Sequence, residues 1–215
     1  MTETATWPGI YDKAKQIYAL EGQDLKEAHA IMLANMGFSE LSDLTGYYCK
    51  SWTSGQGASD INFTNGKALF PKDMLRPIDM TYQTQLLERV SIREMTARYP
   101  GWRTNQSTPT AWCGQANNLT LNTTMAIADG DIVLQGEAYL PYLKDGKEVE
   151  ADDPFTYLPE GTQIMIVYYI LAKLPVDPEQ PVSMARRDQW QREWQVAIER
   201  LVNLKMNHSY RAFRP

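Results

Sequence analysis

The chain has 215 residues, 43% of them hydrophobic, with 6 Trp and 12 Tyr, and a formal net charge of −5. That length suits one domain, or one domain with an elaborate insertion, and the hydrophobic fraction is enough for a real core. The acidic balance argues against a protein that grips nucleic acid by neutralising phosphates.

The opening "MTETATWPGIYDK" has neither the basic region nor the apolar region of a signal peptide. Pro8 stands where a first-turn proline is tolerated, and Ile10, Tyr11, Ala14, Ile17 and Tyr18 then fall on one face, so the first helix runs to Gly22. Leu25, His29, Met32 and Met36 repeat at helical spacing, which predicts a second helix stopped by Gly37 and places His29, partly buried, in the core. A third helix starts near Ser39, a good cap, and carries Leu41, Leu44 and Tyr48. Three short helices with short turns read as a small bundle over 7–52.

The texture changes at Thr53–Lys67, where Gly, Ser and Asn dominate and Asn65-Gly66 is a strong hairpin signal. Strands and turns follow to about Leu143. The prolines of "ALFPKDMLRPIDMTYQ" confine that segment to edges or bends. "NNLTLNTTMAI" alternates partly, "ADGD" marks a tight turn, and "DIVLQGEAYLPYL" is a good strand. "LLERVSIREMTARYPGW" reads as a short helix or an irregular crossing. Lys144–Glu160 is an acidic, Pro-containing loop that lacks the ligand spacing of a helix–loop–helix calcium site.

"LPEGTQIMIVYYILAKLPVDPEQP" (Leu158–Pro181) is the hardest stretch. Its longest apolar run, Ile164–Ala172, is about half the roughly 20 residues a membrane helix needs. Length and proline placement favour a helix of about four turns between Pro159 and Pro175 over a strand. A helix apolar on nearly all sides must be surrounded, which predicts that a second subunit covers one flank at Tyr168 and Tyr169. The last helix is capped near Ser183 and runs to about Lys205, with Trp190, Trp194, Ala197, Leu201 and Leu204 in one stripe. Trp190 and Trp194 join the candidate subunit interface. Beyond Glu199 there is no acid but four cations, Arg200, Lys205, Arg211 and Arg214, leaving −9 on residues 1–199. A basic end on an acidic body suggests a tail that docks elsewhere.

No catalytic set stands out. His29 and His208 are the only histidines, and neither Cys49 nor Cys113 lies in a nucleophile-like motif. With the two cysteines in unrelated contexts there is no disulfide framework, and a reducing compartment fits best. Gly-rich phosphate loops, Gly-x-Ser-x-Gly and CxxC are lacking. The carboxylate pairs Asp129/Asp131 and Asp152/Asp153 are better explained by turn chemistry. No enzyme activity, metal or cofactor is expected.

The element order and several short motifs form a recognisable series. N-terminal helices lead into "LFPKDMLRPIDM", then "YPGW", "STPTAWCG", "NNLTLNTTM" and "DIVLQGEAYLPYL"; the Asp152–Glu160 block precedes the apolar helix and the Trp-striped last helix. Over roughly residues 7–205 this resembles the head-to-tail adaptor (connector) proteins of tailed bacteriophages. The resemblance implies an α+β fold: a helical bundle from the N-terminal and C-terminal helices (7–52 and 159–205) with a central antiparallel β-rich extension at about 53–157. It implies one adaptor domain over 1–206 and a docking tail at 207–215. The implied function is a structural virion protein at the neck, made in the host bacterial cytoplasm. It would form a ring of about twelve copies beneath the portal protein, extend the DNA channel and give the tail its attachment platform. DNA would pass without specific binding, with no membrane or cofactor involved. His208, Tyr210, Arg211, Phe213 and Arg214 are the candidate portal-docking residues, because aromatic anchors beside arginines dominate protein contacts. The rival readings are another neck or tail component, such as a tail terminator, and a small enzyme or ligand-binding module.

Overall fold

Helix-forming segments at both ends of the sequence enclose a strand-forming middle, and a computed structural model shows how the chain resolves that order. The structure describes residues 6–20, 23–55, 57, 60–143, 154–159, 161–175 and 181–212, the last helix by backbone alone at 181–183 and 207–212. The fold is α+β, with helical termini and a β-rich middle. The chain divides into a helical unit made of residues 1–48 and 139–215 and an inserted β unit, Cys49–Ala138. The insertion therefore begins slightly before the expected residue 53 and ends well before 157. The reason lies in Tyr139–Leu143, which leave the sheet and run along a helix instead of prolonging the strand (below).

In the helical unit, α1 (Trp7–Ala19) has Pro8 in its first turn and buries Trp7, Ile10, Ala14 and Tyr18. A single helix, α2 (Glu27–Thr45), replaces the two expected on either side of Gly37. Gly37 does not stop it, because this glycine serves close packing instead of a turn. A Cβ placed there would lie 2.9 Å from Cδ1 of Tyr169. The helix ends at Gly46, whose φ of 51° is the left-handed cap that glycine supplies at little cost. Replacing Gly37 by alanine should raise helix propensity by about 1 kcal/mol. Overpacking against a ring held from behind costs about 1–3 kcal/mol. The expected net result is a loss of stability, read as a lower midpoint in urea unfolding.

The apolar stretch within Leu158–Pro181 forms α4 (Met165–Lys173), shorter than the four turns predicted. Gly161 takes φ 77°, and residues 161–164 form turns in which Thr162 N–H bonds to Pro159 O. The regular helix thus starts six residues later than the sequence indicates. It packs against α1, α2 and α5 (Pro181–Ala212), with Met165, Ile166, Val167, Tyr169, Ile170 and Leu171 all buried. Its own subunit surrounds it, so its apolar character does not require a second copy. Burial of each such side chain is worth about 1.5–3 kcal/mol, which makes α4 the centre of this core.

The β unit holds two four-stranded sheets. In the first, β1 (Cys49–Thr53), β8 (Ile132–Ala138), β3 (Met74–Tyr82) and β4 (Gln85–Leu86) lie in that spatial order, all antiparallel. In the second the order is β2 (Lys67–Leu69), β7 (Asn118–Leu121), β6 (Ala111–Gln115) and β5 (Glu88–Arg89), antiparallel except for the short parallel β5–β6 pair. Asn65-Gly66 makes the tight turn expected of it, with φ of 50° and 70° and paired bonds between Thr64 and Lys67. Pro77 lies in β3 next to a register shift, and β4 pairs only with Thr81 and Tyr82, so the proline removes no ladder bond on that side. The segment left open between helix and crossing contains α3 (Ile92–Arg98). Its start is a capping box: Ser91 Oγ accepts from Glu94 N at 3.2 Å, and Glu94 Oε2 accepts from Ser91 N at 2.8 Å.

Candidate functional site

α2 is amphipathic in an unusual sense, with two apolar stripes. One, through Ala30, Ala34, Gly37, Phe38 and Leu41, is buried against α4 and its neighbours. The other carries Met32 and Met36, 51% and 49% exposed, and His29 beside them is exposed as well. The methionine stripe read from periodicity as core is therefore the outer face, and His29 is not a core histidine.

The segment after β8 builds the opposite wall. Asn35 holds it with two bonds, accepting from Leu143 N at 2.8 Å and donating to Leu143 O at 3.0 Å. Ser42 Oγ accepts from Leu140 N at 3.0 Å, Ser39 Oγ meets the Tyr142 hydroxyl at 2.9 Å, and Tyr139 donates to Asp43 at 2.8 Å. Positions 35, 39, 42 and 43 share one flank of the helix, so these bonds fasten Tyr139–Leu143 along it. Between this strap and the helix opens a groove of about 720 Å³, lined by Ala28, Ile31, Met32, Asn35, Met36, Ser39, Tyr142 and Leu143. Its floor is apolar, and Tyr142 is 56% exposed at its rim. A groove with methionine walls adapts to apolar side chains of varied shape.

The ionisable Asp, Glu, Lys and Arg residues within the helix that floors the groove are of one sign. Between Glu27 and Thr45, α2 carries Glu27, Glu40 and Asp43 and no Lys or Arg. Each of these carboxylates accepts from a neutral donor: Glu27 from Trp7 Nε1, Glu40 from Trp194 Nε1, and Asp43 from Tyr139.

The residues singled out as a subunit interface divide in two. Tyr169 is 2% exposed and packs edge-on against Trp194, itself 3% exposed, with ring centres 4.8 Å apart. Burial, together with the neighbouring Glu40 carboxylate, pushes the Tyr169 phenol up to about 12. Both rings complete their own subunit's core and present almost nothing to a second copy, which corrects their assignment as interface residues. Tyr168 and Trp190 remain half-buried. Of the candidate docking residues, His208, Tyr210 and Arg211 stand in the last turns of α5, which continues to Ala212, beyond the end expected near Lys205. Their side chains, and Phe213 and Arg214 altogether, lie outside the described residues, as does Asp152/Asp153.

Chemistry elsewhere is sparse. Asp129 and Asp131 flank Gly130 in a turn where Asp131 N bonds to Ala128 O. Cys113 is buried, and that burial pushes its thiol up, away from the thiolate a nucleophile needs. Among the described residues no group of three or more His, Cys, Asp or Glu could hold a metal ion. None of the helices, over those same residues, is long and apolar enough to cross a membrane. The groove is the feature that sequence reading missed. The signal for it was the second apolar stripe on α2, which periodicity alone cannot tell from the first. Set beside known proteins, the chain matches no family model and no curated protein.

Proposed function

We propose that this chain is a structural virion protein: a head-to-tail adaptor that assembles as a ring, on the order of a dozen copies, beneath a portal. In that role it extends the DNA channel and gives the tail its platform. The observation that carries the reading is the architecture. A helical unit assembled from both chain ends, with a β-rich unit inserted between them, is the arrangement that the resemblance implies. The charge supports it: a ring multiplies the acidic body, and an acidic conduit lets DNA slide where a basic one would hold it. The basic, aromatic C-terminal segment, Asn207–Pro215, is the segment assigned to the portal, and proteins of the tail are the further partners. The virion neck is the proposed location.

Mixing the chain with portal protein should give a single large particle in mass photometry, and deleting residues 207–215 should abolish it without changing the melting curve. Failure of the full chain to bind any portal tested would overturn the reading. Normal binding by the truncated chain would remove the tail's role alone.

A further inference from the structure

The groove on α2 has an occupant written into the same sequence. We propose that it receives the C-terminal segment Met206–Phe213 from a second copy of this chain. Three observations meet here. Met206 is half exposed, and Met206, Tyr210 and Phe213 recur at i, i+4 and i+7, the spacing with which an amphipathic helix fills an apolar groove. This segment holds Arg211, with Arg214 directly after it, and no acid, whereas α2 holds three acids and no Lys or Arg. Opposite charges on the two helices steer the encounter.

The third observation is directional and points away from the chain's own groove. Trp194 bonds to Glu40, and farther along α5 the Lys205 ammonium donates to Thr45 O at 3.0 Å. α5 thus advances toward the C-terminal end of α2 as its numbering rises. The groove lies the other way, at Ala28–Ser39. By Ala212, α5 has run about 10 Å past Lys205. As far as Ala212 the helix thus leads away from its own chain's groove and is presented to another copy. One surface on one copy meets a different surface on the next, which is the kind of contact that closes into a ring or runs on as a filament. The inference goes beyond the adaptor reading and does not depend on it. A portal, where present, competes with the groove for the same segment.

Two variants in the full chain test it without any portal. Met32→Glu with Met36→Glu spoils the groove at exposed positions, and Tyr210→Ser with Phe213→Ser spoils the inserted segment; melting curves check that both still fold. Sedimentation should show wild-type mass rising with concentration, and self-association at least tenfold weaker in each variant alone. Mixing the two should restore association but stop at a dimer, because such a mixture has one intact groove facing one intact segment. Higher salt should weaken both the wild-type and the mixed species. The proposal is overturned if the wild type stays a single chain up to about 0.5 mM, a concentration that would reveal even weak contacts. It is equally overturned if the groove variant associates as the wild type does, or if the mixture stays monomeric.

Discussion

Replacing Tyr169 by alanine should cost the helical unit about 3–5 kcal/mol, the range seen when a large buried aromatic is truncated. The Tyr169 ring packs edge-on against Trp194, covers the bare backbone at Gly37, and lies 2% exposed between α2 and α5. Removing it opens a cavity at the point where three helices meet. Urea unfolding at neutral pH measures the loss. Tyr169→Phe separates the ring from its hydroxyl and should cost only about 1 kcal/mol, the net worth of a hydrogen bond. The pH dependence has a definite sign. The phenol ionises at about 12 in the folded chain against an ordinary value of 10.0. Between those values the unfolded chain releases a proton that the folded chain keeps, so stability falls as pH rises. Its contribution is complete below pH 10 and gone above 12. Tyr169→Phe lacks this decline, and its deficit relative to wild type should shrink from pH 8 to pH 11. An equal deficit at both values would show that the phenol is not held in its neutral form.

Gly66→Ala should be as damaging to the β unit, at about 3 kcal/mol or more. Two penalties combine. At φ 70° an L side chain sits in the left-handed region, at about 1–2 kcal/mol. An added Cβ would also run into the carbonyl oxygen of Thr123. That oxygen cannot easily retreat: Thr123 is buried, and its hydroxyl donates to Ser107 O at 2.6 Å. Leu121 N–H, meanwhile, bonds to Gly66 O at 2.8 Å. Gly130 supplies the control, since its φ is 81° but nothing lies within 4 Å of an added Cβ. Gly130→Ala should therefore cost only the backbone term, about 1 kcal/mol. A Gly66→Ala loss no larger than the Gly130→Ala loss would mean that the Thr123 segment yields after all.

What the sequence disclosed depended on the range of the interaction behind each feature. The Asn65-Gly66 turn, the first-turn proline of α1 and the Trp190–Leu204 stripe rest on neighbours within a few residues, and all were readable. Gly37 was not, because a glycine looks the same whether it ends a helix or admits an aromatic ring from a distant segment. Met32 and Met36 were misplaced for a related reason. α2 bears two apolar stripes, and only the arrival of α4 decides which one is covered. The start of α4 slipped because Pro159 offered a plausible first turn while Gly161 took a left-handed conformation that composition does not reveal. The residue types of the groove were in plain view, but its second wall comes from Tyr139–Leu143, which read as more strand.

The pairing of β1 with β8 bears on the order of events during folding. Cys49 faces Glu137 across that ladder, so the inserted unit enters and leaves at adjacent strands. For the helical core the insertion amounts to a closed clasp. Joining the ends of a flexible 90-residue loop would cost roughly 4 kcal/mol in chain entropy. Once the insertion has folded, that cost has already been met by strand pairing, and α2 and α4 find each other as if they were close in sequence. The N-terminal helices are synthesised first, yet their partners emerge last. A β unit that folds while α4 is still being made delivers the second half of the core to the first.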